Sequence, residues 1–162
     1  FGVTAVINSG TAGGMDAKLR IYDTIAATEC CYHDVAENIL TEYHPWMKTA
    51  FFESSPWLLE LCQNAVKKLG LRNAYFGRMV TGEAFITDEG REEIMENYAP
   101  LSVDMETAGI AHVCYVNGVP FLSIRCITDT AEHSGNETFH ANCGRASEIS
   151  ANLVMEIIKA AC

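Results

Sequence analysis

The chain has 162 residues, 49% hydrophobic and 20% charged, which suits one domain with a sizeable core and excludes collagen-like or low-complexity character. Lys and Arg total 11 against 21 Asp and Glu, a net charge of −10, so a polyanion such as nucleic acid is repelled; the densest basic spot is only Lys67-Lys68. No apolar run approaches a membrane span and no signal peptide is visible, so no membrane partner is expected.

In chain order, residues 3–8 read as a buried strand that begins abruptly after Phe1-Gly2. Asn8-Ser-Gly-Thr-Ala-Gly-Gly14 reads as a tight loop, and residues 23–29 as a second strand. Residues 32–52 lack a clean period and suggest a long excursion over the surface or an interface. The next signal is a strong helix over 57–69. Ser55 is placed to cap it, Pro56 suits the first turn, Leu58, Leu61, Cys62, Ala65 and Leu69 form one face, and Gly70 closes it. Residues 75–81 read as a strand. Thr87 is placed to cap a helix over 88–97, and 101–104 reads as a short strand. A helix over 105–117 ends at Gly118. Residues 121–127 form the clearest buried strand, bounded by Pro120 and Asp129. A polar loop over 130–142 and a terminal helix over 145–161 complete the pattern. Strand–helix alternation predicts an α/β domain with a mostly parallel sheet.

Seven cysteines, Cys30, Cys31, Cys62, Cys114, Cys126, Cys143 and Cys162, make an odd set without a CxxC pair. Reduced structural thiols in a cytoplasmic protein are the expectation. His33, His133 and His140 share no standard ligand spacing, so neither a metal nor another cofactor is expected.

Ligands in open α/β sheets gather beyond the carboxyl ends of the strands, where three segments fall. The glycines of the 8–14 segment allow close backbone approach, and its N–H groups with Thr11, Ala12 and Gly13 can hold a hydroxyl, water or oxyanion; a structural turn explains the same residues. Asp104-Met105-Glu106 sits at a strand-to-helix transition. Its carboxylates either accept from a diol or simply favour the helix dipole. Arg125-Cys126-Ile127-Thr128-Asp129 places an arginine in an apolar strand, where it needs a carboxylate partner, with Glu106 as candidate. Asp129 at the strand end is either a burial-tuned acid or a loop-initiating residue.

Together, Asn8-Ser-Gly-Thr-Ala-Gly-Gly14, Tyr32-His33-Asp34, Thr81-Gly-Glu-Ala-Phe-Ile86, Val103-Asp-Met-Glu-Thr-Ala108 and Ile127-Thr-Asp129 resemble, in order and spacing, the purine nucleoside phosphorylase/nucleosidase superfamily. The nearest likeness is to its 5'-methylthioadenosine/S-adenosylhomocysteine nucleosidases. The resemblance implies a three-layer α/β/α fold with a central mixed sheet, cleavage of the N-glycosidic bond of adenine nucleosides, and a homodimer. It implies that Asp129, oriented by Thr128, protonates N7 of adenine, and that Met105 and Glu106 contact ribose. It further implies that Phe85 stacks on the base, the Ile86 backbone meets the adenine edge, Ala131 lines that side, and Thr11, Arg125 and Glu106 surround the attacking water.

Phosphorylases of the superfamily carry an arginine shortly before the Gly-rich segment. The stretch Val6-Ile7-Asn8-Ser9 has no basic residue, which favours hydrolysis over phosphorolysis. The sequence differs from the family pattern in Asp104, where Glu is usual, and in Thr11 and Thr128, where Ser is frequent. Trp46, Phe51, Phe52 and Trp57 are candidates for the dimer contact or a pocket for the 5'-substituent. Family members begin with a further portion that carries the first sheet strands and a water-activating glutamate. The resemblance therefore implies one N-terminally incomplete domain over residues 1–162, completed by a complementary N-terminal segment. A purine nucleoside phosphorylase and a non-catalytic nucleoside-binding homologue are the alternatives.

Overall fold

Strand β6 (Phe121–Asp129) is buried at every position, as its apolar run requires. In this computed structural model, residues 2–43, 47–87 and 89–161 are described, with only the backbone of residue 37. Strand β1 (Val6–Gly14) runs parallel to β6 from Val6 opposite Phe121 to Gly13 opposite Asp129, with a register shift between Ala12 and Gly13. Strands β2 (Thr24–Tyr32), β3 (Phe52–Glu53), β4 (Ala74–Thr81) and β5 (Ser102–Asp104) complete one six-stranded sheet in the order β3-β2-β4-β5-β1-β6. A further β2–β6 pairing bends the sheet back on itself. The β1–β6, β2–β4 and β4–β5 pairs are parallel, and the β1–β5, β2–β3 and β2–β6 pairs antiparallel. The sheet is therefore mixed rather than mostly parallel.

Helices α2 (Pro56–Leu69) and α5 (Asn136–Ala161) cover one face. Leu58, Cys62 and Ala65 of α2 meet Leu153, Val154 and Ile157 of α5 over Ala26, Leu122 and Ile124 of the sheet. Each fully buried Leu or Ile there contributes on the order of 1.5–3 kcal/mol through removal from water. The other face packs against α4 (Thr107–Asn117), whose Ala111 and Cys114 join Ala27, Cys30, Met79 and Ile127. Helix α3 (Arg91–Tyr98) brings Ile94 onto Met15, Val80 and Val103. These layers give the α/β/α architecture with a central mixed sheet.

Local signals hold closely for α2. Pro56 occupies the first turn and Gly70 closes the helix at φ 64°, although Ser55 makes no side-chain capping bond. Three expectations change. Residues 8–14 are strand, not loop, because pairing with β6 supplies backbone partners along the entire Gly-rich stretch. The polar 130–142 segment is helical from Asn136, nine residues before the expected start at 145, and the Asn142 amide bonds the Thr138 carbonyl within that early turn. Thr87 does not cap α3; Gly90, at φ 81°, precedes its first residue Arg91, while position 88 lies outside the described residues. The 32–52 excursion contains a short helix α1 (Glu37–Glu42) and β3.

Of the aromatic candidates in that region, Phe52 is a core residue at 2% exposure, stacked on His112 and edge-on to Tyr32. Phe51 packs under the Arg78 guanidinium, Trp57 is exposed, and Trp46 lies outside the described residues. Cys30, Cys31, Cys62, Cys114 and Cys126 are buried free thiols. Burial pushes Cys31 and Cys62 up to about 12 and Cys126 to about 11, which keeps them protonated and unreactive. Cys162 lies outside the described residues. Among the described residues, no helix is long and apolar enough to cross a membrane.

Candidate active site

The ends of β1, β5 and β6 converge on a cavity of about 150 Å³. Its lining includes Thr11, Ala12 and Gly13 from β1, Asp104 from β5 with Met105 and Glu106 after it, and Thr128 and Asp129 from β6. Ala84, Phe85 and Ile86, which follow β4, and Phe139 of α5 close the remaining side.

One wall is built on a buried arginine. The Arg125 Nε lies 2.8 Å from the Asp104 carboxylate, both side chains being almost fully enclosed. Its Nη2 lies 3.2 Å from the carboxylate of Glu106, whose side chain is 58% exposed. Asp104 is used up by the protein: it accepts from Thr81 Oγ1 at 2.6 Å, from the backbone N–H of Thr107 at 3.1 Å, and from the Thr107 hydroxyl. It thus caps α4 and neutralises Arg125 together. The expectation that Arg125 pairs with Glu106 holds, with Asp104 as a second and more deeply buried partner. Of the two readings of these carboxylates, Asp104 serves the start of α4, and Glu106 keeps the solvent access that accepting from a diol requires.

Glycine in β1 makes this wall possible. A Cβ on Gly10 would lie 2.1 Å from Arg125 Nη1, so the guanidinium occupies the space a side chain would take. Arg125 Nη1 also donates to the Thr11 carbonyl at 3.4 Å. The glycines read as loop formers thus serve close approach within a strand.

The opposite end holds Asp129, 2% exposed. Its Oδ1 accepts from Thr128 Oγ1 at 2.8 Å. Gly13 lies directly across, where a Cβ would come within 3.1 Å of Oδ2. Burial raises the pKa of Asp129, partly offset by the Thr128 hydrogen bond and by the charge of Arg91. A carboxyl group whose hold on its proton is strengthened by burial is suited to donate to a basic atom in the cavity.

Phe85 is 39% exposed and stands edge-on to Phe139, with ring centres 5.9 Å apart. Met105 is 44% exposed at the lip. Nine of the expected residues (Thr11, Ala12, Gly13, Phe85, Ile86, Met105, Glu106, Thr128 and Asp129) line the cavity. Arg125 stands just behind the lining, and Ala131 is exposed in the turn after β6, outside it. Ala84, Val103 and Phe139 were not anticipated. Phe139 was missed because a polar surrounding masked the helix that carries it. Its aromatic character amid Asn136, Glu137 and Thr138 was the available signal.

The family model of the Phosphorylase superfamily matches residues 1–159, and the chain belongs to that superfamily. Within it, the chain is a member of the 5'-methylthioadenosine/S-adenosylhomocysteine nucleosidase family. It is 35% identical to the 5'-methylthioadenosine/S-adenosylhomocysteine nucleosidase of Exiguobacterium sp. over 98% of this chain and 70% of the relative. The Neisseria meningitidis nucleosidase, solved in complex with methylthio-immucillin-A, superposes with a TM-score of 0.86 at 30% identity, over 97% of this chain and 70% of that one. The Helicobacter pylori futalosine hydrolase superposes with a TM-score of 0.86 at 28% identity, over 98% and 69%. The chain thus spans about 70% of the length of these relatives.

Proposed function

We propose that the chain hydrolyses the N-glycosidic bond of 5'-methylthioadenosine, S-adenosylhomocysteine or both, releasing adenine. The observation that carries this reading is Asp129: a buried carboxyl with raised proton affinity, at the end of β6 in a cavity with an aromatic wall. As the C1'–N9 bond lengthens, its electron pair moves onto the purine. Asp129 donates its proton to N7, which neutralises the leaving base where negative charge collects. Thr128 fixes the carboxyl through its hydroxyl. Glu106 accepts from the ribose 2'- and 3'-hydroxyls, which favours positive character at C1', and Met105 packs on the sugar. Phe85 covers the base and the Ile86 backbone meets its edge.

Water adds to C1' from the side of Thr11 and the Arg125–Glu106 pair, and its proton passes to a base. Among the described residues that line the cavity, Asp104 and Glu106 are tied to Arg125 and Asp129 is the acid, so each of these carboxylates is committed. We infer that the base comes from a complementary N-terminal segment outside residues 1–162, the present residues forming the rest of one domain. Phosphate is disfavoured as nucleophile because Arg125, behind the cavity wall, already faces two carboxylates. The protein is read as cytoplasmic and homodimeric, without a cofactor.

Adenine release from 5'-methylthioadenosine, measured with and without phosphate, tests this reading. Phosphate-independent release of free methylthioribose supports it; obligatory phosphate with formation of a sugar 1-phosphate overturns it. S-Adenosylhomocysteine in parallel fixes the tolerated 5'-substituent.

A further inference from the structure

The side chain of Asn142 joins two walls of the cavity. Its Nδ2 donates to the Thr128 carbonyl at 3.0 Å and to the Thr138 carbonyl at 2.9 Å. Each acceptor immediately precedes a cavity residue: Thr128 precedes Asp129, and Thr138 precedes Phe139. One amide group therefore fixes the first turns of α5 to the end of β6.

The orientation of that amide is itself set. Tyr22 Oη donates to Asn142 Oδ1 at 2.6 Å, which leaves both Nδ2 hydrogens for the two carbonyls. Tyr22 has φ 73°, a left-handed conformation that is uncommon for a bulky residue. Its surroundings hold it there: Tyr22 N–H donates to the Ile127 carbonyl at 2.8 Å, and Asn73 Nδ2 donates to the Tyr22 carbonyl at 3.0 Å. The Arg145 guanidinium lies 4.6 Å from the centre of the Tyr22 ring. The strained backbone is thus held by contacts from three other segments, and its product is a phenol aimed at one amide oxygen.

We propose that Asn142, oriented by Tyr22, is a positioning residue that sets the spacing between Asp129 and the Phe139 wall, and so governs how tightly an adenine nucleoside is held. Neither residue lines the cavity. The proposal rests on the reading of that cavity as the nucleoside site. It adds that the first turns of α5, ahead of the apolar packing farther along the helix, are fastened by a discrete latch, for Phe139 is only half-buried, its ring against Phe85 and His140.

Tyr22→Phe removes one hydroxyl and keeps the ring under Arg145. It should raise KM for 5'-methylthioadenosine by about threefold to tenfold with kcat changed less than twofold, in line with the loss of one orienting hydrogen bond. Asn142→Ala should do the same more strongly, and Asn142→Gln should not rescue it because the longer amide misses both carbonyls. Two readouts do not need turnover. Amide exchange over residues 136–143 should quicken in both variants while β6 stays protected, and adenine affinity measured by calorimetry should fall in step with KM. Unchanged exchange and unchanged adenine affinity in Tyr22→Phe would overturn the latch, whatever the activity. A parent protein that binds adenine but releases none would count against the hydrolase reading and leave the latch measurable by exchange and affinity. If Asn142→Ala does not fold, Tyr22→Phe alone decides.

Discussion

Arg125 and Asp104 form an ion pair at 2.8 Å with side-chain exposures of 5% and 2%. Removing one partner of such a pair strands a charge in the interior. Asp104→Ala should therefore destabilise the fold by about 3–5 kcal/mol, seen as a lower denaturation midpoint with an unchanged slope. Asp104→Asn, which keeps an acceptor for Thr81 and the Thr107 N–H, should lose less.

Glu106 meets the same guanidinium at 3.2 Å but is 58% exposed. Its pairing is screened by water, so Glu106→Gln should change stability by less than about 1 kcal/mol. Its effect should fall on catalysis, with kcat/KM for 5'-methylthioadenosine lowered by at least about 100-fold if the ribose bond strengthens toward the transition state. The two carboxylates of one arginine thus separate in assay: the buried one governs folding, the exposed one turnover. Wild-type kinetics in Glu106→Gln would refute its contact with the sugar.

Asp129→Asn should abolish most turnover while preserving adenine binding, because only the proton donor is lost. The same variant has a signature in stability. The folded-state pKa of Asp129 lies above its unfolded value, so the folded protein holds that proton more tightly. Below the unfolded value both states are protonated and the residue costs nothing. As pH rises through the folded value, the native state must carry a buried charge and loses stability. Asp129→Asn should therefore have a higher Tm than the parent at neutral pH, and the gap should close on acidification. A gap independent of pH would contradict the raised pKa.

Gly10→Ala places a methyl 2.1 Å from Arg125 Nη1. Gly10 is held by its pairing with β6 and by its N–H bond to Ser150 Oγ, so the guanidinium must move. Activity should fall as steeply as in Glu106→Gln, with a loss of stability as well, since overpacking typically costs about 1–3 kcal/mol. Parent-like kinetics in Gly10→Ala would show that Arg125 can shift without consequence.

Much of the site was legible in the residues themselves. An arginine in an apolar strand demanded a carboxylate, and an aspartate ending that strand pointed to the cavity. The boundaries that failed were set by partners distant in the chain. Asn8-Ser-Gly-Thr-Ala-Gly-Gly14 has the composition of a turn, and becomes strand only because β6 lies alongside it. The first turns of α5 carry Asn136 and Thr138, residues with little local preference for helix, and are fastened by Asn142 to a carbonyl on β6. The exact partner of Arg125 was equally non-local, for Asp104 and Glu106 both lie within reach and only burial ranks them.

The β2–β6 pairing has a consequence for motion. Over Ile124, Arg125 and Cys126, β6 is flanked by β1 on one side and β2 on the other. A strand held on both edges cannot peel away without opening the sheet, so its amides should exchange only through global unfolding. The arginine therefore rides on the slowest part of the molecule, with the acid at the end of the same strand. Any breathing that admits or releases a nucleoside must come from the residues after β4 and the start of α5, which have no strand on either flank.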